Sequence, residues 1–226
     1  MSVDNCRVQI AICITTRNRR DALDKCAAQH TLFRVPTAKY FIVNDAGEPT
    51  PYDDFRFSDR AGIPLAKNKC IELAMNSGAE HIFLFDDDCY PISDGWELPY
   101  IRSPHPHLCF TFLPSYATEA GHKHHHLGNG CMMYVHRDVI ERIGGMDPAF
   151  GIGKYEHVHY SHRACAAGLI PAPFIDVEGS SGLLHAMDAA GEVERTMSSE
   201  EMARQMRAGE AHFYATKDRG EFVGYS

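Results

Sequence analysis

The sequence has no run approaching the ~20 consecutive apolar residues of a membrane-crossing helix, so no such span is expected. Its first residues, MSVDNCRVQI, lack a basic stretch followed by an apolar one. No secretory leader is therefore read there, and a cytoplasmic location is expected. The eight cysteines form no Cys-x-x-Cys pair. That excludes the common zinc-ribbon spacing and a dense disulfide scaffold, and it suggests reduced thiols. Basic residues are neither abundant nor clustered: 22 Lys and Arg face 30 Asp and Glu, giving a net charge of −8 with His neutral. This argues against sequence-independent binding to a nucleic-acid backbone. There is one tryptophan, and there is no internal repeat or low-complexity tract.

What is present suits one globular domain. The length is 226 residues and the hydrophobic fraction is 44%, enough for a core. Fourteen histidines are many for this length, and their protonation near pH 6 would offset part of the negative charge.

Apolar runs at residues 8–16, 40–43 and 81–85 read as strands, with helices expected over 19–31 and from 62 to about 77. A polar and aromatic loop is expected at 49–59. Strand, helix, strand, helix, strand is the pattern of an open α/β sheet with parallel strands. Polar residues just beyond such strand ends line the ligand crevice. Thr15-Thr16-Arg17, Asn44-Asp45 and Asp86-Asp87-Asp88 stand there.

The second half reads as strands at 108–113, 130–135 and 174–177, with helices at 137–143, 156–167 and 198–208. The last helix begins at a capping Ser198 or Ser199, with Glu200 and Glu201 in its first turn. HKHHH at 122–126 reads as a polar interruption and a mobile acceptor loop rather than a second metal site. Gly179-Ser180-Ser181-Gly182 reads as a flexible loop before His185.

The acidic triplet is the sharpest chemical signal. Three adjacent carboxylates repel one another, and that cost suggests a compensating cation. Alternate residues of an extended segment face the same way, so Asp86 and Asp88 can share one ion. Hard oxygen ligands suit Mg²⁺ or Mn²⁺.

FLFDDDCYP resembles the Asp-x-Asp segment of GT-A glycosyltransferases, especially the family-2-like group. AICITTRNR, FIVNDAG, GIPLAKNKCIELA, GCMMYVHRDVIERIGGMDPAFG and KYEHVHYSHRACAAGL resemble further segments of that group, in order, over residues 8–188. Three positions depart from the pattern: Lys67 replaces an Arg, Met146 replaces a Phe, and His157 replaces the usual second acid.

The resemblance implies a GT-A three-layer α/β sandwich with a mostly parallel central sheet. It assigns 1–190 to the transferase domain and 191–226 to a C-terminal helix and tail that pack on it or close over it. It implies metal-dependent transfer of a sugar from a nucleoside diphosphate, UDP-sugars being favoured, to an acceptor hydroxyl, with inversion. By the same resemblance Glu156 is the base, and Asp86, Asp88 and His185 hold the metal. Thr15, Arg17, Asn18, Asp45, Lys67, Asn68 and Asp87 meet the nucleotide. Gly130, His157 and Arg163 meet acceptor or sugar. Trp96, in Asp94-Gly95-Trp96 just past the triplet, is read by its position either as a ring that stacks on a sugar or acceptor or as a core residue.

The acceptor is open among a protein, a modified nucleic-acid base and a glycan, and a homodimer is among the arrangements considered. The compact build resembles bacteriophage-encoded glycosyltransferases, whose setting would be a host cytoplasm. Two other readings stay open: a non-catalytic sugar-nucleotide or protein-binding module, and a nucleotidyltransferase. The second is disfavoured because ITTRNRRDA carries no glycine for a phosphate loop.

Overall fold

The computed structural model describes residues 9–193 and 198–225. Cys6 and the expected strand start at residue 8 lie outside the described residues. The chain runs β1 (Ile10–Thr16), α1 (Arg20–Leu32), β2 (Ala38–Asn44), β3 (Phe55–Arg56), α2 (Ile63–Asn76) and β4 (His81–Asp86). There follow β5 (Cys89–Pro91), α3 (Leu98–Ile101), β6 (His107–Cys109), β7 (Ser115–Glu119), β8 (His122–His125) and β9 (Met132–His136). The chain continues through α4 (Arg137–Ile143), α5 (Glu156–Ala166), β10 (Ile175–Val177), β11 (Leu184–Ala186) and α6 (Ser199–Thr216).

The central sheet has six strands in the order β3-β2-β1-β4-β9-β6. β1, β2, β3 and β4 are parallel, while β9 runs antiparallel to both β4 and β6. Every residue of β1 is buried, as a strand covered on both faces requires. Ile12, Phe83, Leu84 and Phe85 are fully buried, each worth roughly 1.5–3 kcal/mol relative to exposure. On α1 the inward residues Ala22, Leu23, Cys26 and His30 recur at helical spacing. From β1 the chain first builds outward through β2 and β3, then crosses to the other side at β4. The strand order thus reverses between β1 and β4, and a crevice opens beyond their carboxyl ends. In register, Thr15 pairs with Asp86 and Thr16 with Asn44.

The structure departs from expectation in several places, one of them in the first half. HKHHH is not a mobile loop: residues 122–125 are β8, the middle strand of a three-stranded sheet, β10-β8-β7, with His122 and His125 buried. Pairing on both sides supplies the order that composition did not advertise. The stretch at 179–182 is a tight turn rather than a flexible loop, because buried Ser180 donates to Asp176 at 2.6 Å. A two-residue strand, β3, sits within the expected loop at 49–59. The last helix runs on to Thr216 instead of stopping near 208, and Phe213 packs it down.

Candidate active site

A cleft of about 420 Å³ lies at the carboxyl ends of β1, β2 and β4, a size suited to a small ligand. Thr15, Thr16, Arg17, Asp45 and the acidic triplet line one side. Phe112, residues 128–131, Lys154, Glu156 and His157 line the other. Of the strand-end residues singled out in the first half all but Asn44 therefore converge, and residues 130, 156 and 157 of the second half share their cleft.

The triplet is partly neutralised by two cations of the chain itself. Arg19, at the N-terminal edge of α1, donates to Asp87 and to Asp88, the latter at 2.9 Å. Thr16 donates to Asp87 at 2.6 Å. The buried Lys67 ammonium donates to the Phe85 carbonyl at 2.6 Å and meets Asp86 at 2.8 Å. Burial pushes the Asp88 carboxyl up to about 6, and repulsion from Asp86 and Asp87 adds to that, against the pull of Arg19. Asp87 is also raised, first by burial. Burial works against the Lys67 charge, but Asp86 beside it outweighs that and holds its pKa above the ordinary value.

Glu156, the first residue of α5, lines the same cleft as the acids. Its carboxylate is buried, and the helix N-terminus favours the negative charge. His157 Nδ1 donates to Glu156 Oε1 at 3.1 Å, and His157 Nε2 lies 3.3 Å from the Gly128 carbonyl. Both ring nitrogens thus face acceptors, which suits the imidazolium. Burial opposes the His157 charge, yet Glu156 and then Asp86 raise its pKa above the ordinary value. Burial would likewise raise Glu156, but the His157 bond and charge bring it below. Glu156 Oε2 is buried and has no hydrogen-bond partner among the described residues. A buried oxygen left so is costly and calls for explanation.

The backbone leading to Glu156 is strained. Lys154 and Tyr155 have φ of 82° and 70°, the left-handed region, which costs roughly 1–3 kcal/mol for each such residue. Gly130 is required beside them, since a Cβ there would meet the His157 ring at 2.8 Å.

Six expected site residues stand elsewhere. Trp96 is fully buried against Phe83 and Phe85, so it is a core residue and not an acceptor platform. Arg163 is buried and donates to the backbone carbonyls of Ile143, Gly145 and Glu221. It ties α4 and the tail together instead of meeting substrate. Asn68 clamps the backbone of Met146 through both amide atoms. Lys67 lies beneath the cleft, reaching it only through Asp86. Asn18 accepts from the Glu48 amide and borders a small neighbouring hollow. His185 is turned away: it pairs with Glu192 at 3.0 Å and lies against Tyr90. Strand alternation brings Ala186, not His185, to the cleft, and Asp188 reaches it from the turn that follows. Asp45 does line the cleft, but its carboxylate also accepts the amides of Ala61 and Gly62, at 2.6 Å for Ala61.

Sequence reasoning passed over Arg19, Arg60, Lys154, Phe112 and Asp188, all of which line the cleft. Arg19 and Lys154 were legible, since they end and open quoted segments, and Phe112 fell within the expected strand at 108–113; Arg60 and Asp188 come from stretches with no periodic signal.

Among the described residues, no three His, Cys, Asp or Glu side chains form a cluster ready to hold a metal. A hard ion can be held by one or two carboxylates when substrate phosphates and water complete its shell. Asp86 and Asp88 supply that pair of oxygen donors, so the residues fit Mg²⁺ or Mn²⁺ as a shared ion, not as a closed protein cage.

No protein-family model matches the sequence, and no curated protein matches it. Solved structures do match the fold. A mannosyltransferase from Pyrobaculum calidifontis, in complex with GDP-Man and Mn²⁺, aligns with a TM-score of 0.56 at 12% identity, over 92% of this chain and 70% of that one. A Drosophila β-1,4-galactosyltransferase 7, in complex with manganese, UDP-Gal and xylobiose, aligns with a TM-score of 0.51 at 17% identity, over 96% of this chain and 82% of that one. With a parallel sheet that reverses at β1 and β4, acids at the end of β4, and these neighbours, the chain has the GT-A fold of glycosyltransferases.

Proposed function

We propose that this protein transfers a sugar from a nucleoside diphosphate to an acceptor hydroxyl. One observation carries the reading: Glu156, whose buried Oε2 has no partner among the described residues, lines the same cleft as the acidic triplet at the end of β4. An ionised, unengaged carboxylate oxygen is what a general base needs. His157 engages Oε1 and so leaves Oε2 to take the proton.

In the proposed reaction the acceptor oxygen attacks the anomeric carbon while Glu156 Oε2 removes its proton. The new glycosidic C–O bond forms, the bond from that carbon to the phosphate oxygen breaks, and nucleoside diphosphate leaves. Arg17, Arg19, Arg60 and Lys154 place positive charge around the cleft for the diphosphate. A divalent ion held by Asp86 and Asp88 would supply further stabilisation of the leaving group when bound. Asp45 and Thr15 line the same cleft and are assigned to base or ribose. UDP-sugars are the favoured donors, and a single displacement with one base gives inversion. Retention of the donor's α linkage, read by NMR of the product, would overturn inversion.

The test of the donor site is a thermal-shift screen of UDP- and GDP-sugars, with and without Mn²⁺, on the parent and on Asp88→Ala. At ~100-fold saturation a bound donor adds about 2.7 kcal/mol. A Mn²⁺-dependent rise with one donor, lost in Asp88→Ala, is expected. No rise with any of them at millimolar concentration would sink the reading.

A further inference from the structure

α6 lies outside the segments that carry the family resemblance, yet it packs on the backbone that delivers Glu156. Gly209 is buried, and a Cβ added there would meet the Lys154 carbonyl oxygen at 2.8 Å and the Tyr155 ring at 3.2 Å. Only glycine lets the helix approach so closely. One turn on, Phe213 packs against the Tyr155 ring, with centroids 5.5 Å apart. His212 Nε2 meets Asp147 Oδ2 at 2.7 Å, which fixes the helix to the turn before residue 151. From the opposite side Ile63 of α2 fills the space at Gly153, where a Cβ would meet it at 2.7 Å. α6 thus packs on the left-handed pair Lys154–Tyr155 and α2 on Gly153 just before it, and Glu156 is the next residue.

We propose that α6 is a positioning element for Glu156, with Gly209 and Phe213 holding the strained Lys154–Tyr155 backbone that aims the carboxylate into the cleft. Strained backbone persists only where its surroundings over-determine it, and here α6 supplies much of that constraint. The inference rests on Glu156 being the base, but its test does not need turnover. His157 reports on Glu156 directly, because its Nδ1 lies 3.1 Å from Oε1. The other groups facing that ring are Asp86 and the Gly128 carbonyl.

The experiment follows the His157 ring by NMR titration in the metal-free full chain, assigned with His157→Gln. Gly209→Ala and Phe213→Ala are each compared with the parent and with Glu156→Gln. Alanine is the better helix former, so Gly209→Ala leaves α6 intrinsically no weaker; Phe213→Ala loosens the contact without crowding it. The expected result is that both variants lower the His157 pKa by about half a pH unit or more, towards the value in Glu156→Gln. An unchanged His157 titration in both, while Glu156→Gln shifts it, would overturn the positioning role. No shift in Glu156→Gln would instead show that the Glu156–His157 pair itself is wrong.

Discussion

At the scale of single residues, two buried groups carry the predictions for activity and for acid tolerance. Glu156 has one oxygen tied to His157 and one left open. Glu156→Gln keeps the shape but cannot take a proton, so it is expected to lower kcat by about 10²–10⁴-fold. Donor affinity, read by calorimetry, should barely move. A variant with near-parental kcat would remove Glu156 from the mechanism. His30 is the second group. It lies among Tyr40, Phe85 and Trp96 with neither ring nitrogen bonded, and burial lowers its pKa to about 3. A histidine depressed in the folded state stabilises fully above its unfolded pKa near 6.5, and that stability is lost as pH falls from there towards 3. At pH 5 the loss from His30 is about 2 kcal/mol relative to pH 8. His30→Leu should remove that share, so its urea midpoint should fall less between pH 8 and pH 5. Parallel pH profiles for parent and variant would show that His30 is hydrated or paired in the fold.

At the scale of elements, α5 both presents Glu156 and anchors the tail. Its Arg163 donates to carbonyls of residues 143, 145 and 221, satisfying the end of α4 and fixing the chain near its last described strand bridge, Gly144 to Val223. Arg163→Leu strips those acceptors of their donor inside the fold and is expected to cost roughly 3 kcal/mol in urea unfolding. A cost under about 1 kcal/mol would mean that water replaces the guanidinium easily. The same arginine shows where sequence reading stops. β1, β4 and the acids that end β4 were legible because a buried parallel strand is a continuous apolar run, and a run ending in charge marks a crevice. Glu156 was legible from the segment resembling the family's acceptor helix. Arg163 was placed in the site on that same likeness, and nothing in a one-dimensional pattern tells a charge aimed at ligand from one aimed at carbonyls. β8 was missed because histidines carry little strand signal; its order comes from pairing with β7 and β10. Trp96 was placed by its nearness to the acids, whereas the aromatic packing around Phe83 draws it inward.

At the scale of the whole molecule, the cleft joins distant parts of the chain: acids at 86–88, a lip at 128–131 and the carboxylate at 156. A ligand that bridges them should stabilise all three together. Hydrogen exchange with Mn²⁺ and UDP or GDP is therefore expected to slow at 128–131 and 152–157 as well as beside the triplet. Protection confined to residues near 86–88 would mean that nucleotide leaves the second wall untouched. Among the described residues, no helix is long and apolar enough to cross a membrane, and the net charge of −8 sets a repulsive field for polyanions.

The pairing of Arg19 with Asp87 and Asp88, and of Lys67 with Asp86, also bears on how the chain is made. Synthesis runs from the N-terminus, so both cations leave the ribosome before the acids they neutralise. Three adjacent carboxylates emerging alone would resist burial at the end of β4. Instead they meet a partly built sheet, with α1 and α2 already behind them and a positive charge waiting on each. The nascent protein can close its most highly charged corner long before nucleotide or metal is encountered.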